Sequence, residues 1–292
     1  MRLLTTLHDK AMMKTLAPFA GGFVVGNDAT GTRLTVSFSL SDLNAIIDEA
    51  GALHQEVFLQ ANRLFSDQEL DRFTHDMRQL DLDRVTGVIV SDLGAVRLLK
   101  AWGHAGKVVY HPDTLLTNRH DFNFLSREGI FGAFVAKEIT LADIKTIAGS
   151  TSYALFMHGH GHLSMFYTKR QLVETYMRFH GDDHPYHDAR SLRLIEETRL
   201  DDAMPVLEDE AGTHVFRAKV MSSLDDLQDL AKLVDYLLID TIFKDDDYAL
   251  KVLPLYHVKE KNDAVIKVLQ QTYDETWDDG FLHQKTIYLT KG

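Results

Sequence analysis

Short apolar runs alternate with amphipathic segments along most of this chain. Runs of four or five residues rich in Val, Ile, Leu and Phe are typical of parallel strands covered on both faces, and the segments between them have helical periodicity. The pattern predicts eight strands, at Leu3–Thr6, Phe23–Gly26, Glu56–Gln60, Gly87–Val90, Lys107–Tyr110, Gly132–Val135, Ala154–Met157 and Tyr236–Asp240.

Helices are predicted between these strands from the period of their apolar positions and from polar residues that can cap them. They are Ser41–Ala52 with Ser41 as N-cap, Asp67–Gln79, Gly94–Trp102, His120–Arg127 and Leu141–Ala148 after Thr140. Alternation of strand and helix over 292 residues predicts an α/β protein, a (β/α)8 TIM-like barrel forming one domain over residues 1–292.

One stretch, residues 158–223, interrupts this alternation. It contains a helix near Arg170–Phe179 and three strand-like runs, SLRLIEETR, AMPVLEDE and THVFRAK. Their alternating pattern predicts an insertion after the seventh strand that carries a small antiparallel sheet. After the eighth strand, a helix around Asp263–Thr276 and a strand-like QKTIYL are predicted.

Composition excludes several classes of chemistry. The chain has no cysteine, so it cannot form disulfides, thiolate metal sites, a cysteine nucleophile or an iron–sulfur cluster of its own. Its net charge of −12 opposes autonomous binding to a nucleic acid. No signal-peptide pattern and no run of about 20 apolar residues is present, so we expect a cytoplasmic protein without a membrane partner.

The chemistry of a (β/α)8 barrel takes place at the carboxyl ends of its strands. Polar residues predicted to lie there could instead be helix caps or loop hydrogen-bonders, as Asp92 would be before the helix at Gly94–Trp102. The ligand-binding candidates are Arg33, Asn62, Asp92, His111, Asn118, Lys137, Glu138, Tyr167, Arg170 and Asp240.

Three histidines alternate with glycines directly after the seventh predicted strand, at His158, His160 and His162. In an extended chain, spacing of two would put the three imidazoles on one face, where they could bind a divalent metal ion. The alternative is a hydrogen-bonding loop that approaches a ligand through its glycines. No fourth metal ligand is identifiable from spacing.

Signatures of serine hydrolases, zinc proteases, phosphate loops and dinucleotide-binding folds are absent from the sequence. A peptidase mechanism needs a nucleophile with its base, or a metal-bound water. In this sequence, only the three histidines are candidates for contributing to either.

Five segments distributed along the chain carry a family resemblance. They are Thr32-Arg33-Leu34, VYHPDTLLTNRHDFNF at Val109–Phe124, Ala136-Lys137-Glu138-Ile139, MHGHGHLSMFYTKRQL at Met157–Leu172, and GFLHQKTIY at Gly280–Tyr288. Together they resemble the U32 family, historically called collagenase-like peptidases, and especially its short members. The fourth segment is similar to the family's His-Gly-Ala-Leu-Cys motif with its Ser-Tyr-Ser-Gly-x-Cys continuation.

The resemblance implies a function, but this chain lacks the cysteines that cluster-bearing relatives carry. Short members look like partners of a longer relative in prephenate-dependent hydroxylation of the wobble uridine of transfer RNA. Where cluster-bearing relatives place their first two cysteines, this chain has Ser164 and Gln171, so their iron–sulfur chemistry does not transfer to it.

Three hypotheses follow from the resemblance. The first is a partner subunit that binds a small dicarboxylic acid through Arg33, Lys137 and Arg170 and contacts tRNA only through its longer relative; ordinary surface ion pairs are the alternative for these three cations. The second is a peptidase, as the family name implies. The third is a barrel that binds a ligand or supports an assembly without chemistry of its own.

Overall fold

Strands and helices alternate along the chain, of which a computed structural model describes residues 1–259 and 261–284. The strands are β1 (Arg2–Thr6), β2 (Gly22–Val25), β3 (Glu56–Gln60), β4 (Gly87–Val90), β5 (Val108–Tyr110), β6 (Gly132–Phe134), β7 (Ala154–Thr168), β8 (Arg193–Glu196), β9 (Arg199–Asp209), β10 (Gly212–Ser222), β11 (Tyr236–Ile239) and β12 (Trp277–Asp278). The helices are α1 (Met13–Leu16), α2 (Leu40–Ala52), α3 (Asp67–Met77), α4 (Leu93–Ala101), α5 (Arg119–Ser126), α6 (Leu141–Ala148), α7 (Leu172–Phe179), α8 (Leu227–Leu230), α9 (Asp246–His257) and α10 (Asp263–Tyr273).

Eight parallel strands close into a barrel. Strands β1 to β7 pair in chain order, and β11 closes the ring by pairing with both β7 and β1. Buried apolar side chains fill the interior: Leu4, Val24, Phe58, Ile89, Val109, Phe134, Phe156, Tyr236 and Leu238. The interior is therefore a packed core, and a site has to lie at the barrel mouth above it. The predicted (β/α)8 barrel is confirmed.

The helices around the barrel begin at side-chain caps. Asp92 caps α4, Asn118 caps α5, and Thr140 forms a capping box with Asp143 at the start of α6. The predicted N-cap Ser41 is wrong: Ser39, in extended conformation, accepts the capping hydrogen bond, and α2 begins at Leu40, one residue earlier than predicted. Among the described residues, no helix combines the length and the apolar character needed to cross a bilayer.

The largest difference from the predicted elements is the length of β7. It does not end at Met157 but continues to Thr168, and its outer half leaves the barrel to pair antiparallel with β10. Strands β9 and β8 extend this sheet, and α7 lies between β7 and β8 in the chain. Helix α9 was not predicted, and α10 ends earlier than expected, at Tyr273. The predicted strand QKTIYL lies, from residue 285 on, outside the described residues.

Candidate functional site

Oppositely charged side chains meet above the carboxyl ends of β2, β5 and β6. The Arg33 guanidinium donates to both carboxylate oxygens of Asp113, at 2.8 and 3.3 Å, and the Lys137 ammonium lies 3.6 Å from Asp113 Oδ1. The side chains of Arg33 and Lys137 are only 10% and 5% exposed, whereas that of Asp113 is 27% exposed. Two buried cations thus share one carboxylate, which is the outermost of the three groups.

Burial and charge act on each member of this cluster. Burial alone would raise the pKa of Asp113, but the charges of Arg33 and Lys137 lower it well below its usual range. Burial lowers the pKa of Lys137, and Asp113 offsets part of that effect. Burial also lowers the pKa of His111, whose Nε2 lies 3.7 Å from Asp113 Oδ1, to about 4. Asp113 is therefore ionised and His111 neutral near pH 7.

The floor of the cluster consists of neutral rings. His111 stacks on Phe134 at 4.0 Å between centroids, and His158 lies 5.1 Å from His111. Burial lowers the pKa of His158 well below its ordinary value. With both imidazoles neutral, Asp113 is the carboxylate that pairs directly with both cations, and Asp209 and Asp240 add further negative charge near Arg33.

A second polar cluster holds the backbone of Arg33 in place. Asp209 accepts hydrogen bonds from the Thr32 hydroxyl at 2.7 Å and from the Arg33 backbone N–H at 2.9 Å. This bond fixes Arg33 in a left-handed conformation with φ 56°, which is uncommon for a residue other than glycine. Thr32 also lies 2.8 Å from His214 Nε2, and Tyr167 stacks on His214. The insertion therefore positions the cation of the barrel mouth.

Thr32, His214 and Asp209 are the three residue types of a hydrolase triad, but they are not arranged as one. In a triad the nucleophile and the carboxylate bind opposite nitrogens of the imidazole. Here Thr32 and Asp209 both approach Nε2, at 2.8 and 3.6 Å, while Nδ1 has no hydrogen-bond partner among the described residues. Thr32 is also buried, so a substrate cannot reach its hydroxyl. The cluster is suited to positioning and not to nucleophilic attack.

Asp240 directly follows β11, and its carboxyl group has an unusual pKa. Burial raises it to about 6, and a hydrogen bond from the Ile242 N–H at 3.1 Å and the charges of Arg33 and Arg190 limit the rise. Arg190 itself is fixed by hydrogen bonds to the carbonyl oxygens of Leu34 and Ile242. A carboxyl group with a pKa near 6 can donate or accept a proton near neutral pH.

The three histidines of β7 do not share a face, so the predicted metal site is wrong. In the pairing of β7 with β11, His158 is opposite Leu238 and His160 is opposite Ile239, which leaves Gly159 as one extra residue. Such a bulge reverses the direction of every side chain that follows it. The segment is also strand and not a flexible loop.

Each histidine therefore has a different environment. His158 lies beside His111 in the mouth, whereas His160 lies 2.7 Å from the Tyr248 hydroxyl, under α9. The His162 imidazole bonds the Arg217 carbonyl oxygen at 2.8 Å. Within residues 1–259 and 261–284, no group of three or more His, Asp or Glu side chains is arranged to hold a metal ion.

The other predicted residues divide into supporting and peripheral groups. Asn62 accepts a hydrogen bond from the Thr32 N–H at 2.9 Å, and the Tyr167 hydroxyl donates to the Ala211 carbonyl oxygen. Asp92 and Asn118 are helix caps, as the alternative interpretation held.

Two charged candidates lie beside the cluster and not in it. Glu138 is half-buried next to Lys137 and offsets part of the lowering of the pKa of Lys137. Arg170 is exposed in the turn before α7, where the described hydrogen bonds involve only its backbone, so its assignment to the cluster is wrong.

The positions that carry cysteine in cluster-bearing relatives do not fit an iron–sulfur cluster here. The Ser164 hydroxyl lies 3.3 Å from Arg33 Nη1, and the Gln171 amide donates to the Asp209 carbonyl oxygen at 2.9 Å. Neither side chain offers a thiolate. Ser164 contacts Arg33 of the mouth, whereas Gln171 bonds another residue of the insertion.

Three residues of the site were missed from the sequence. Asp113 follows β5 by three residues, so its position at a strand end was available as a signal. Asp209 and His214 lie in the insertion, 176 and 182 residues from their partners Arg33 and Thr32, and no local pattern indicates that contact.

We predict that stability falls as pH falls from 7 to 5, because several histidines are buried and neutral. Burial lowers the pKa of His160 to about 3, whereas an unfolded histidine titrates near 6.5. Between these values the unfolded chain binds more protons, so acid favours unfolding by about 2 kcal/mol for each such histidine between pH 7 and pH 5. Urea denaturation of His160→Gln at both pH values should show a correspondingly smaller loss.

Exposed His120 provides the control, since His120→Gln should keep the wild-type pH dependence. Asp240 acts in the opposite direction, because its raised pKa makes stability decrease as pH rises through about 6. The comparison is therefore between variant and wild type at each pH. A wild-type slope in His160→Gln would contradict the prediction.

Fold and site together define a (β/α)8-barrel protein with a buried, mixed-charge polar site at its mouth. The model of peptidase family U32 matches residues 10–289, and the chain belongs to that family. The family resemblance seen in the sequence is thereby confirmed.

Known relatives cover different shares of the chain. It is 22% identical over 303 residues to "tRNA hydroxylation protein P2" of Bacillus subtilis (strain 168), with 98% of each chain covered. It is 25% identical over 174 residues to "23S rRNA 5-hydroxycytidine C2501 synthase" of Escherichia coli (strain K12), which covers 58% of this chain and 25% of that protein. The solved structure of the U32 peptidase Mk0906 has a TM-score of 0.51 at 16% identity, covering 82% of this chain and 92% of that one. The last similarity concerns the fold alone.

Proposed function

We propose that the chain is a subunit of a system that hydroxylates a nucleobase of transfer RNA, working in the cytoplasm with a longer, cysteine-bearing U32 relative. The observation that carries this proposal is the match to tRNA hydroxylation protein P2 over 98% of both chains, which includes barrel, mouth and insertion together. The family resemblance implies prephenate as the small dicarboxylic acid and the wobble uridine as the target.

The mouth supports binding of such an acid. Arg33 and Lys137 are 10% and 5% exposed, and their contacts with Asp113 hold both of them in place. A ligand carboxylate would meet a preorganised guanidinium and an ammonium group, and binding would order few additional side chains. Asp240, with its pKa near 6, lies close enough for its titration to be affected by Arg33.

Charge and composition support the assignment of RNA binding and redox chemistry to the partner. A chain with a net charge of −12 is repelled by the tRNA backbone, so contact with RNA is assigned to the partner. A chain without cysteine also leaves any thiolate-bound redox group to the partner. The peptidase hypothesis gains no support, because the Thr32, His214 and Asp209 cluster lacks triad geometry.

Deletion of the gene is expected to abolish the hydroxylated uridine in total tRNA, as measured by nucleoside mass spectrometry. Wild-type protein should restore the modification, and Lys137→Met should not, because it removes one of the two mouth cations. Lys14→Met, which changes a 74% exposed lysine on α1, is the matched control and should restore it fully. An unchanged nucleoside profile in the deletion strain would rule out the proposed function.

A further inference from the structure

Asp113 lies between solvent and the two buried cations of the mouth. Its side chain is 27% exposed, whereas the side chains of Arg33 and Lys137 beneath it are 10% and 5% exposed. A ligand carboxylate that pairs with these cations has to reach the atoms that Asp113 already contacts. Access to the cations therefore requires Asp113 to move.

The loop that follows β5 is attached to the barrel at two points. At the first, the backbone N–H of the buried His111 donates to the Val90 carbonyl oxygen at 2.8 Å. At the second, the carbonyl oxygen of the buried Leu116 accepts a hydrogen bond from the Ala136 N–H at 3.0 Å. Residues 112–115, the flap, lie between these two attachments.

One side chain holds the flap against the rest of the protein. Pro112 and Asp113 are half-buried, whereas Thr114 and Leu115 are exposed. Within residues 1–259 and 261–284, every hydrogen bond and ion pair from the flap to another segment is formed by the Asp113 carboxylate. The flap is therefore free to move if this carboxylate leaves the cations.

The backbone of Asp113 is strained in the closed position. The Thr114 N–H donates to the Pro112 carbonyl oxygen at 2.8 Å, and φ of Asp113 is 61°. A three-residue turn with positive φ at its centre is the rare and strained form of the γ-turn. A return of Asp113 to negative φ would relieve this strain and turn its carboxylate away from the cations.

The contacts of Asp113 are those that a ligand carboxylate would form. Its two oxygens accept hydrogen bonds from the two terminal nitrogens of the Arg33 guanidinium, and Lys137 provides a second cation. Such paired bonds suit the planar geometry of a carboxylate. Arg33 is also held independently of Asp113, because Asp209 accepts a hydrogen bond from its backbone N–H at 2.9 Å. The cation site thus keeps its anchor when Asp113 leaves.

We propose that Asp113 stands in for the carboxylate of the ligand, and that a carboxylic acid opens the flap by displacing Asp113 from Arg33 and Lys137. The inference deepens the proposed function and rests on it for the identity of the acid, prephenate. The free chain keeps its two cations paired and covered, and the bound chain holds the acid in place of Asp113. Neutral and cationic molecules lack the group that displaces Asp113, so the flap also selects the class of ligand.

The test measures the position of the flap in the intact chain. Because the chain has no cysteine, nitroxide labels attach only at the two introduced sites, Leu115→Cys in the flap and Ala45→Cys on the exposed side of α2. Double electron–electron resonance should give one distance for the free chain and a second with saturating prephenate. The shift should reach several ångströms, since Leu115 is two Cα–Cα steps of about 3.8 Å from Asp113. Labels at Phe124→Cys, 63% exposed on α5, and Ala45→Cys are the control and should not shift.

Two variants are expected to open the flap without a ligand. Asp113→Asn removes the charge that holds it, and Thr114→Pro removes the N–H of the turn and restricts Asp113 to extended conformations. Both should show the second distance without prephenate. Both should also bind prephenate at least about threefold tighter, because a closed flap lowers the apparent affinity by the fraction of open chains. Thr114→Ala keeps the N–H and should give the wild-type distance.

The outcomes separate the flap from the function. Prephenate that binds the wild-type chain without shifting the distance would overturn the inference. Thr114→Pro alters no charge and no buried side chain, so it decides the matter if Asp113→Asn does not fold: a wild-type distance in Thr114→Pro would also overturn the inference. Normal tRNA hydroxylation in the deletion strain would instead defeat the proposed function, and a shift of the flap on binding prephenate would still support the inference.

Discussion

Lys137→Met is expected to weaken binding of prephenate by 10- to 100-fold, and Asp113→Asn is expected to strengthen it. Lys137 is 5% exposed, and a hydrogen bond to a charged group contributes about 1.5–3 kcal/mol. Methionine keeps most of the length of the lysine stem, so the change removes charge more than volume. Asp113 pairs with both cations, so its carboxylate competes with a ligand carboxylate for them. The uncharged amide of the asparagine variant would compete less.

The opposite signs of these two changes make the measurement decisive. Titration calorimetry with prephenate, on wild type and both variants, gives the affinities directly, and Lys14→Met again serves as control. A cluster that only stabilises the fold would respond to both changes with lower stability and unchanged affinity. Weaker binding in Asp113→Asn would show instead that Asp113 orients the cations for the ligand, which contradicts competition.

The bounds of most barrel strands could be predicted within one or two residues, because a buried strand is visible in the sequence as a short run of apolar residues. Strands β3 and β4 coincide with the predicted ranges, and their residues are almost entirely buried. The same signal fails in the outer half of β7, where His and Gly replace the apolar residues. Helix α9 was missed, and it has Pro254 inside its sequence, a residue that usually marks a helix end.

The candidate site was predictable only where its residues follow barrel strands. Arg33, His111 and Lys137 were found by that rule, and the structure brings them together around Asp113. The direction of the His160 side chain could not be predicted, because it depends on a bulge in the pairing of β7 with β11. These two strands are about 80 residues apart in the sequence. Asp209 was missed for the same reason of distance along the chain.

The second large effect expected is on stability, at Gly161 in β7. Its φ is +125°, a conformation that side chains rarely adopt, and a Cβ atom there would stand 2.4 Å from the Asp240 carbonyl oxygen. The backbone of β11 cannot move aside as a flexible side chain could. Strain at positive φ costs about 1–2 kcal/mol and overpacking about 1–3 kcal/mol, so Gly161→Ala should lower the free energy of unfolding by roughly 2–5 kcal/mol.

Two other glycines separate the contributions to this effect in urea denaturation. Gly103 has φ +87° with open space around it, so Gly103→Ala should show only the backbone strain, about 1–2 kcal/mol. Gly106 has open space and no positive φ, so Gly106→Ala should be neutral or slightly stabilising. Equal losses for Gly161→Ala and Gly103→Ala would contradict the close approach of β7 to Asp240. A larger loss at Gly161 would show that the bulged strand is held against the residue whose carboxyl group lies in the mouth.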